Sequence, residues 1–112
     1  MKHKMHLSDS KFNQIKNGTK SIEMRINDPK RQLINIGDEI EFINRETNEV
    51  VYTKIINIKT FISFKELYKN YDKKVLGYKE DEIADPLDME RYYSKEEQDE
   101  YGVVAIELSA TY

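Results

Sequence analysis

Cysteine and tryptophan are absent from this 112-residue chain, and it has only 4 glycines and 2 prolines. Without cysteine there is neither a disulfide framework nor a thiolate metal site. The scarcity of Gly and Pro leaves no flexible or Pro-rich linker, and no repeat or low-complexity segment is present. No apolar run approaches the roughly 20 residues that span a bilayer, and Met1–His6 is not the apolar core of a signal peptide. The expectation is a soluble, cytoplasmic protein without membrane association. No Gly-rich phosphate loop or nucleophile elbow occurs. The two histidines, His3 and His6, fall on opposite faces of a strand and make no ligand pair. No metal or other cofactor is expected.

What remains is 38% hydrophobic and 35% charged. That supports one core beneath a heavily charged surface, hence a single domain over residues 1–112. Lys+Arg total 18 against 21 Asp+Glu, a net charge of −3, which argues against non-specific coating of nucleic acid. The charge is polarised: Lys2, Lys4, Lys11, Lys16, Lys20, Arg25, Lys30 and Arg31 load the first third, whereas residues 80–100 are acidic. Usage rich in Lys, Ile, Asn and Tyr points to an AT-rich bacterial genome.

The pattern predicts a first strand near 3–7, then a helix capped by Ser8. Leu7 and Phe12 stand at the two positions of a hydrophobic staple, and Gly18 ends the helix. A strand over 20–26 follows, with Ile22, Met24 and Ile26 on the core face and Ser21, Glu23 and Arg25 on the other. Glu23 and Arg25 then stand about 7 Å apart at the backbone. Residues 39–44 alternate, with Ile40 and Phe42 inward. Residues 50–60 are β-branched, long enough for a bulge. Ser63 and Ser94 open capping boxes with Glu66 and Glu97, and Asp85-Pro86 starts another helix. Residues 72–84 read as irregular, and 103–108 as a final strand. Short turns between most strands predict an α+β fold: a small, mostly antiparallel, closed or nearly closed β-barrel with helices packed outside it.

Gly18-Thr19-Lys20-Ser21-Ile22-Glu23-Met24-Arg25 follows the short helix. Gly37-Asp38-Glu39-Ile40-Glu41-Phe42, a Ser63-Phe64-Lys65-Glu66-Leu67 helix start and the strand Tyr101–Leu108 come after it, in that order. Together these resemble the activating signal cointegrator homology (ASCH) domain, a family of PUA-like β-barrels, over nearly the whole chain. The resemblance implies a cleft between barrel and helices lined by Lys20, Glu23 and Arg25, and binding of RNA or a nucleotide-like ligand. It also implies an alternative. Some small bacterial members are amidohydrolases that deacetylate N4-acetylcytidine, and a related bacterial protein is a ribonuclease. In the deacetylating members a Thr three residues after the Lys is the nucleophile; the matching position here is Glu23, so the hydroxyl is missing. Their catalytic acid lies beyond the third barrel strand, and Glu66 is a candidate for it.

Each residue has a plain structural reading as well. Glu23 and Arg25 by themselves are an ion pair on a strand, worth at most about 1 kcal/mol if exposed. In a cleft, Arg25 offers a planar fork for a phosphate or base edge, Glu23 accepts from an exocyclic amine, and Lys20 supplies positive charge at the cleft mouth. If the protein is an enzyme, Lys20 and Glu23 are its catalytic pair. Among the 8 tyrosines, Tyr68 and Tyr71 fit helix packing. Tyr92 and Tyr93 cannot both face the core from one short helix. One of Tyr68, Tyr92 and Tyr93 is expected to stack on a base. A protein-interaction module is a third class, disfavoured by the single-domain length.

Overall fold

Glu39 to Phe61 forms the hairpin around which the rest of the fold assembles. The computed structural model describes residues 1–112. Strands β1 (Lys2–Leu7), β2 (Ile22–Ile26), β3 (Glu39–Asn44), β4 (Val50–Phe61) and β5 (Val103–Leu108) make one five-stranded sheet in the order β1-β3-β4-β5-β2. Helices α1 (Asp9–Lys16), α2 (Phe64–Tyr68), α3 (Lys73–Leu76) and α4 (Lys95–Tyr101), with 3₁₀ segments at Arg31–Leu33 and Pro86–Arg91, complete the chain.

The expected α+β, mostly antiparallel sheet is present, and the closed or nearly closed barrel is corrected to a mixed, open half-barrel. β1 pairs with β3 in parallel, Met5 opposite Phe42. The sheet also curls into a half-barrel without closing, leaving β1 and β2 as its edges. The physical reason is that α1, β2 and the loop after it intervene between β1 and β3. They supply the long crossover that a parallel pair needs. The remaining pairs are antiparallel.

Two apolar clusters cover the two faces. The larger gathers Met5, Leu7, Ile40, Phe42, Val51, Ile55, Val104 and Ile106 beneath Phe12 and Ile15 of α1. The smaller gathers Ile22, Met24, Val103 and Ala105 beneath Phe64, Leu67, Leu76 and Met89. β5 therefore alternates between two buried faces and reads as an almost unbroken apolar run. β4 keeps its inward set by a bulge. Ile55 faces Leu108 and Ile58 faces Ile106, so three residues of β4 span two of β5. The extra residue, Ile56, is 57% exposed, which explains an isoleucine in water.

Local signals largely hold. The Ser8 hydroxyl accepts from Lys11 N, and Gly18 follows α1 at φ +86°. Ser94 and Glu97 form a reciprocal capping box. The Ser63 hydroxyl accepts from Glu66 N, but the Glu66 carboxylate turns to Lys69 at 3.2 Å instead of back to the cap. Residues 72–84 are not wholly irregular: Asp72 caps the single turn of α3, which ends at Gly77 in the left-handed region. Asp85-Pro86 does open a helix, of the 3₁₀ type. No helix is long and apolar enough to cross a membrane.

Candidate functional site

The antiparallel register of β2 on β5 decides where the signature residues go. Glu23 lies opposite Ile106 and Arg25 opposite Val104. Directly opposed residues share a face, and Val104 and Ile106 belong to the larger core cluster. Glu23 and Arg25 thus project on the curled sheet's inner side, at its β2 edge, not from a solvated outer face. Ile22 and Met24 take the helix-covered side. The alternation in the sequence is real, but both faces of this strand are covered.

Lys20, Glu23 and Arg25 meet there. Arg25 donates to Glu23 Oε2 at 2.9 Å, and Lys20 Nζ lies 3.5 Å from Glu23 Oε1. Met24 N donates to the same Oε1 at 3.2 Å. Lys20 and Glu23 are only 4% and 5% exposed, so Lys20 is not an open charge at a cleft mouth. Its ammonium donates to the Ile22 carbonyl and, at 3.2 Å, to the Leu76 carbonyl. It ties β2 to α3.

Burial opposes the charge on every member of this cluster. It pushes Lys20 below the ordinary lysine value, with Glu23 only partly offsetting it. At Glu23, burial is outweighed by the Arg25 and Lys20 charges, and the carboxyl titrates below the usual carboxylate range. At Arg25, burial is likewise outweighed, chiefly by Glu23, and the value is raised. Glu23 is therefore held as the carboxylate between Lys20 and Arg25.

Above the cluster is a cavity of about 220 Å³. Both sheet edges contribute, His6 and Leu7 from β1 and Glu23 to Arg25 from β2, so the cavity occupies the gap where the half-barrel stays open. Tyr68, Tyr78, Tyr92 and Tyr93 supply aromatic walls. The three expected aromatics all line it, in different ways. Tyr93 stacks on buried Phe64, ring centroids 6.1 Å apart, and is fixed. Tyr92 is 61% exposed at the rim. Tyr68 is edge-on to Tyr78, and their hydroxyls share a hydrogen bond of 2.8 Å. The Tyr78 hydroxyl donates onward to Asp88 at 2.7 Å. That relay fastens the 3₁₀ segment Pro86–Arg91 over the cavity.

Tyr71 and Glu66 do not join the site. Tyr71 packs edge-on to Phe61 and donates to Glu107 at 3.2 Å. His3 is also elsewhere, its Nε2 2.8 Å from Asp38. No group of acids and histidines is arranged to hold a metal.

Sequence reasoning missed Lys11, Arg45, Tyr78, Asp88 and Arg91, all of which line the cavity. Lys11 carried one signal: it lies in the first turn of α1, within the basic first third of the chain. Arg45 and Arg91 carried none, since a turn residue and a residue of an acidic stretch become neighbours of β2 only in three dimensions.

Comparison with known proteins agrees with this architecture. Superposition on the crystal structure of hypothetical protein PH0355 gives a TM-score of 0.81 at 31% identity, covering 97% of this chain and 98% of that one. Protein PF0455 from Pyrococcus furiosus, solved in solution by NMR, gives 0.70 at 30% identity, covering 97% and 96%. The ASCH protein from Zymomonas mobilis shares the fold at 17% identity, with a TM-score of 0.70 over 96% of this chain and 66% of that one. No curated protein matches. The family model for the ASCH domain matches residues 5–111. With the signature residues gathered on the inner edge of the half-barrel and nearly the whole chain matched, this protein belongs to the ASCH domain family.

Proposed function

We propose that the cavity binds RNA or a nucleotide-like ligand, one base at a time. The observation that carries this reading is the placement of an ionised, hydrogen-bonded Glu23–Arg25 pair on the floor of an aromatic-walled hollow. Such a floor presents donor and acceptor side by side, as a base edge requires, and fixed tyrosine rings match a base's flat face. Arg25 gives one terminal nitrogen to Glu23 and also lies against the Tyr93 hydroxyl, which leaves others of its five donors for the ligand. Membership of the ASCH family, tied above to RNA, supports the same reading. The test is binding of ribonucleosides and short RNAs to wild type and Arg25→Ala, both checked for folding by circular dichroism. A loss of about tenfold or more is expected; equal affinity removes Arg25 from the site.

The hydrolase alternative has one observation in its favour: burial pushes Lys20 toward the neutral amine that a base must be. Two observations oppose it. Position 23 holds a carboxylate where a nucleophilic hydroxyl is needed, and the Lys20 ammonium spends its hydrogens on two carbonyls and Glu23. Turnover of N4-acetylcytidine by the purified protein, lost in Lys20→Ala, would establish the hydrolase and displace simple binding.

A further inference from the structure

We infer that the ligand is a phosphorylated nucleoside unit whose phosphate is held at the cavity rim by Lys11, Arg45 and Arg91. The inference rests on the nucleotide-like reading of the cavity and assigns the anion to residues other than the family signature.

The cavity has two electrostatic parts. On its floor, Glu23 is answered by Lys20 and Arg25. The other three cations come from elements far apart in sequence: α1, the turn after β3, and the 3₁₀ segment over the cavity. None of the three has a carboxylate within ion-pair distance. That is notable in a chain with more acids than bases, 21 against 18. Asp88, the remaining acid of the lining, is engaged by the Tyr78 hydroxyl.

Lys11 is the fixed member. Its amine donates to the Gly77 carbonyl at 2.8 Å and lies 5.7 Å from the centre of the Tyr78 ring. An ammonium has three donors, so others remain for a ligand. Burial, aided by the Arg91 charge, pulls Lys11 below the ordinary lysine value, with Glu82 and Glu23 only partly restoring it. Glu82, Glu23 and Asp88 act on Lys11 only from beyond ion-pair distance, so an incoming phosphate meets these cations without displacing a carboxylate. Arg45 and Arg91 are exposed and make no side-chain hydrogen bond to the protein, so their forks are open to two phosphate oxygens.

Size gives the same division. The cavity of about 220 Å³ falls below the roughly 300–1,000 Å³ of sites that engulf a drug-sized ligand. That is room for about a base, and a phosphate one ribose away then reaches the opening, where the lining side chains of Arg45 and Arg91 are exposed. The phosphate can belong to a free mononucleotide, as a monoester, or to an RNA strand, as a diester; the shared chemistry is a phosphate one ribose away from the bound base.

Calorimetry at low salt with the four ribonucleosides, their 5′-monophosphates and dinucleoside monophosphates tests this. At least one phosphorylated probe is expected to bind tenfold or more tightly than its nucleoside, an advantage that shrinks as salt rises. A larger gain for monoesters identifies free nucleotides, and one for diesters identifies RNA. In the double variant Arg45→Met/Arg91→Met, whose native side chains make no hydrogen bond or ion pair in the fold and of which Arg91 alone stands over a ring, 6.0 Å from the centre of Tyr92, the ratio of nucleotide to nucleoside affinity should fall toward one. Nucleosides binding as tightly as their phosphates, or a ratio unchanged in the variant, would overturn the inference while leaving the base-binding cavity intact. Failure of every probe to bind would remove both.

Discussion

Lys20→Met separates a lysine built into the fold from one displayed for chemistry. Met keeps an unbranched apolar stem of similar length and removes only the charged head. The head's partners are the Ile22 and Leu76 carbonyls and Glu23. Each buried carbonyl left without its donor costs about 1–3 kcal/mol. Glu23 loses one of two cations but keeps Arg25 and Met24 N, so the full 3–5 kcal/mol of an orphaned buried charge does not apply. Removing a desolvated ammonium gives part of the loss back, since burial already works against that charge. The net expectation is a destabilisation of about 2–4 kcal/mol, seen as a lower urea midpoint with an unchanged slope. At about 4 °C per kcal/mol for a domain of this size, the melting temperature falls by about 8–16 °C. A change under about 0.5 kcal/mol would refute the reasoning, because it would mean the ammonium is solvated rather than joining β2 to α3.

Three further outcomes follow from the same geometry. Gly77 sits at φ +104°, and a Cβ there would stand 2.9 Å from Lys20 Cδ and 3.2 Å from Lys11 Nζ. Gly77→Ala should cost about 1–3 kcal/mol in chemical denaturation and weaken binding at both parts of the cavity together. Asp38 accepts from His3, from Asn35 N and from the Met1 amine, which together pull its carboxyl down to about 2. Its folded value lies below its unfolded one, so its stabilisation is present above about pH 4 and lost as pH falls toward 2. Acid titration of stability should therefore be flatter between pH 4 and 2 in Asp38→Asn. Tyr92→Ala removes an exposed ring and should leave stability within about 0.5 kcal/mol, while reducing base affinity by the 1–3 kcal/mol of about one stacking contact.

Elements were legible where the cause is local. Ser8, Ser94, Asp85 and Gly18 act through atoms within four residues, so capping chemistry marks their helix ends in the sequence. β3 alternates because only one of its faces is buried. Length alone suggested the β4 bulge; its position at Ile56 follows from pairing with β5. Closure and strand direction were not legible, because Met5 meets Phe42 at a separation of 37 positions along the chain, and nothing near either one records the other. The site divides in the same way. Lys20, Glu23 and Arg25 are five residues apart at most, in β2 or just before it, so local chain brings them together. Lys11, Arg45, Tyr78, Asp88 and Arg91 reach the same hollow from four separate elements.

The sequence by itself determined the family, the α+β class, the helix caps and the signature triad, because each is written in short-range spacing. Tertiary structure alone decided that the sheet stays open and that β2 is buried on both faces. It also decided that Lys20 is a structural tie and that unpaired cations ring the cavity. The physical reason is that burial and counter-charge belong to a position in space, and a residue's neighbours there are set by pairing between distant strands.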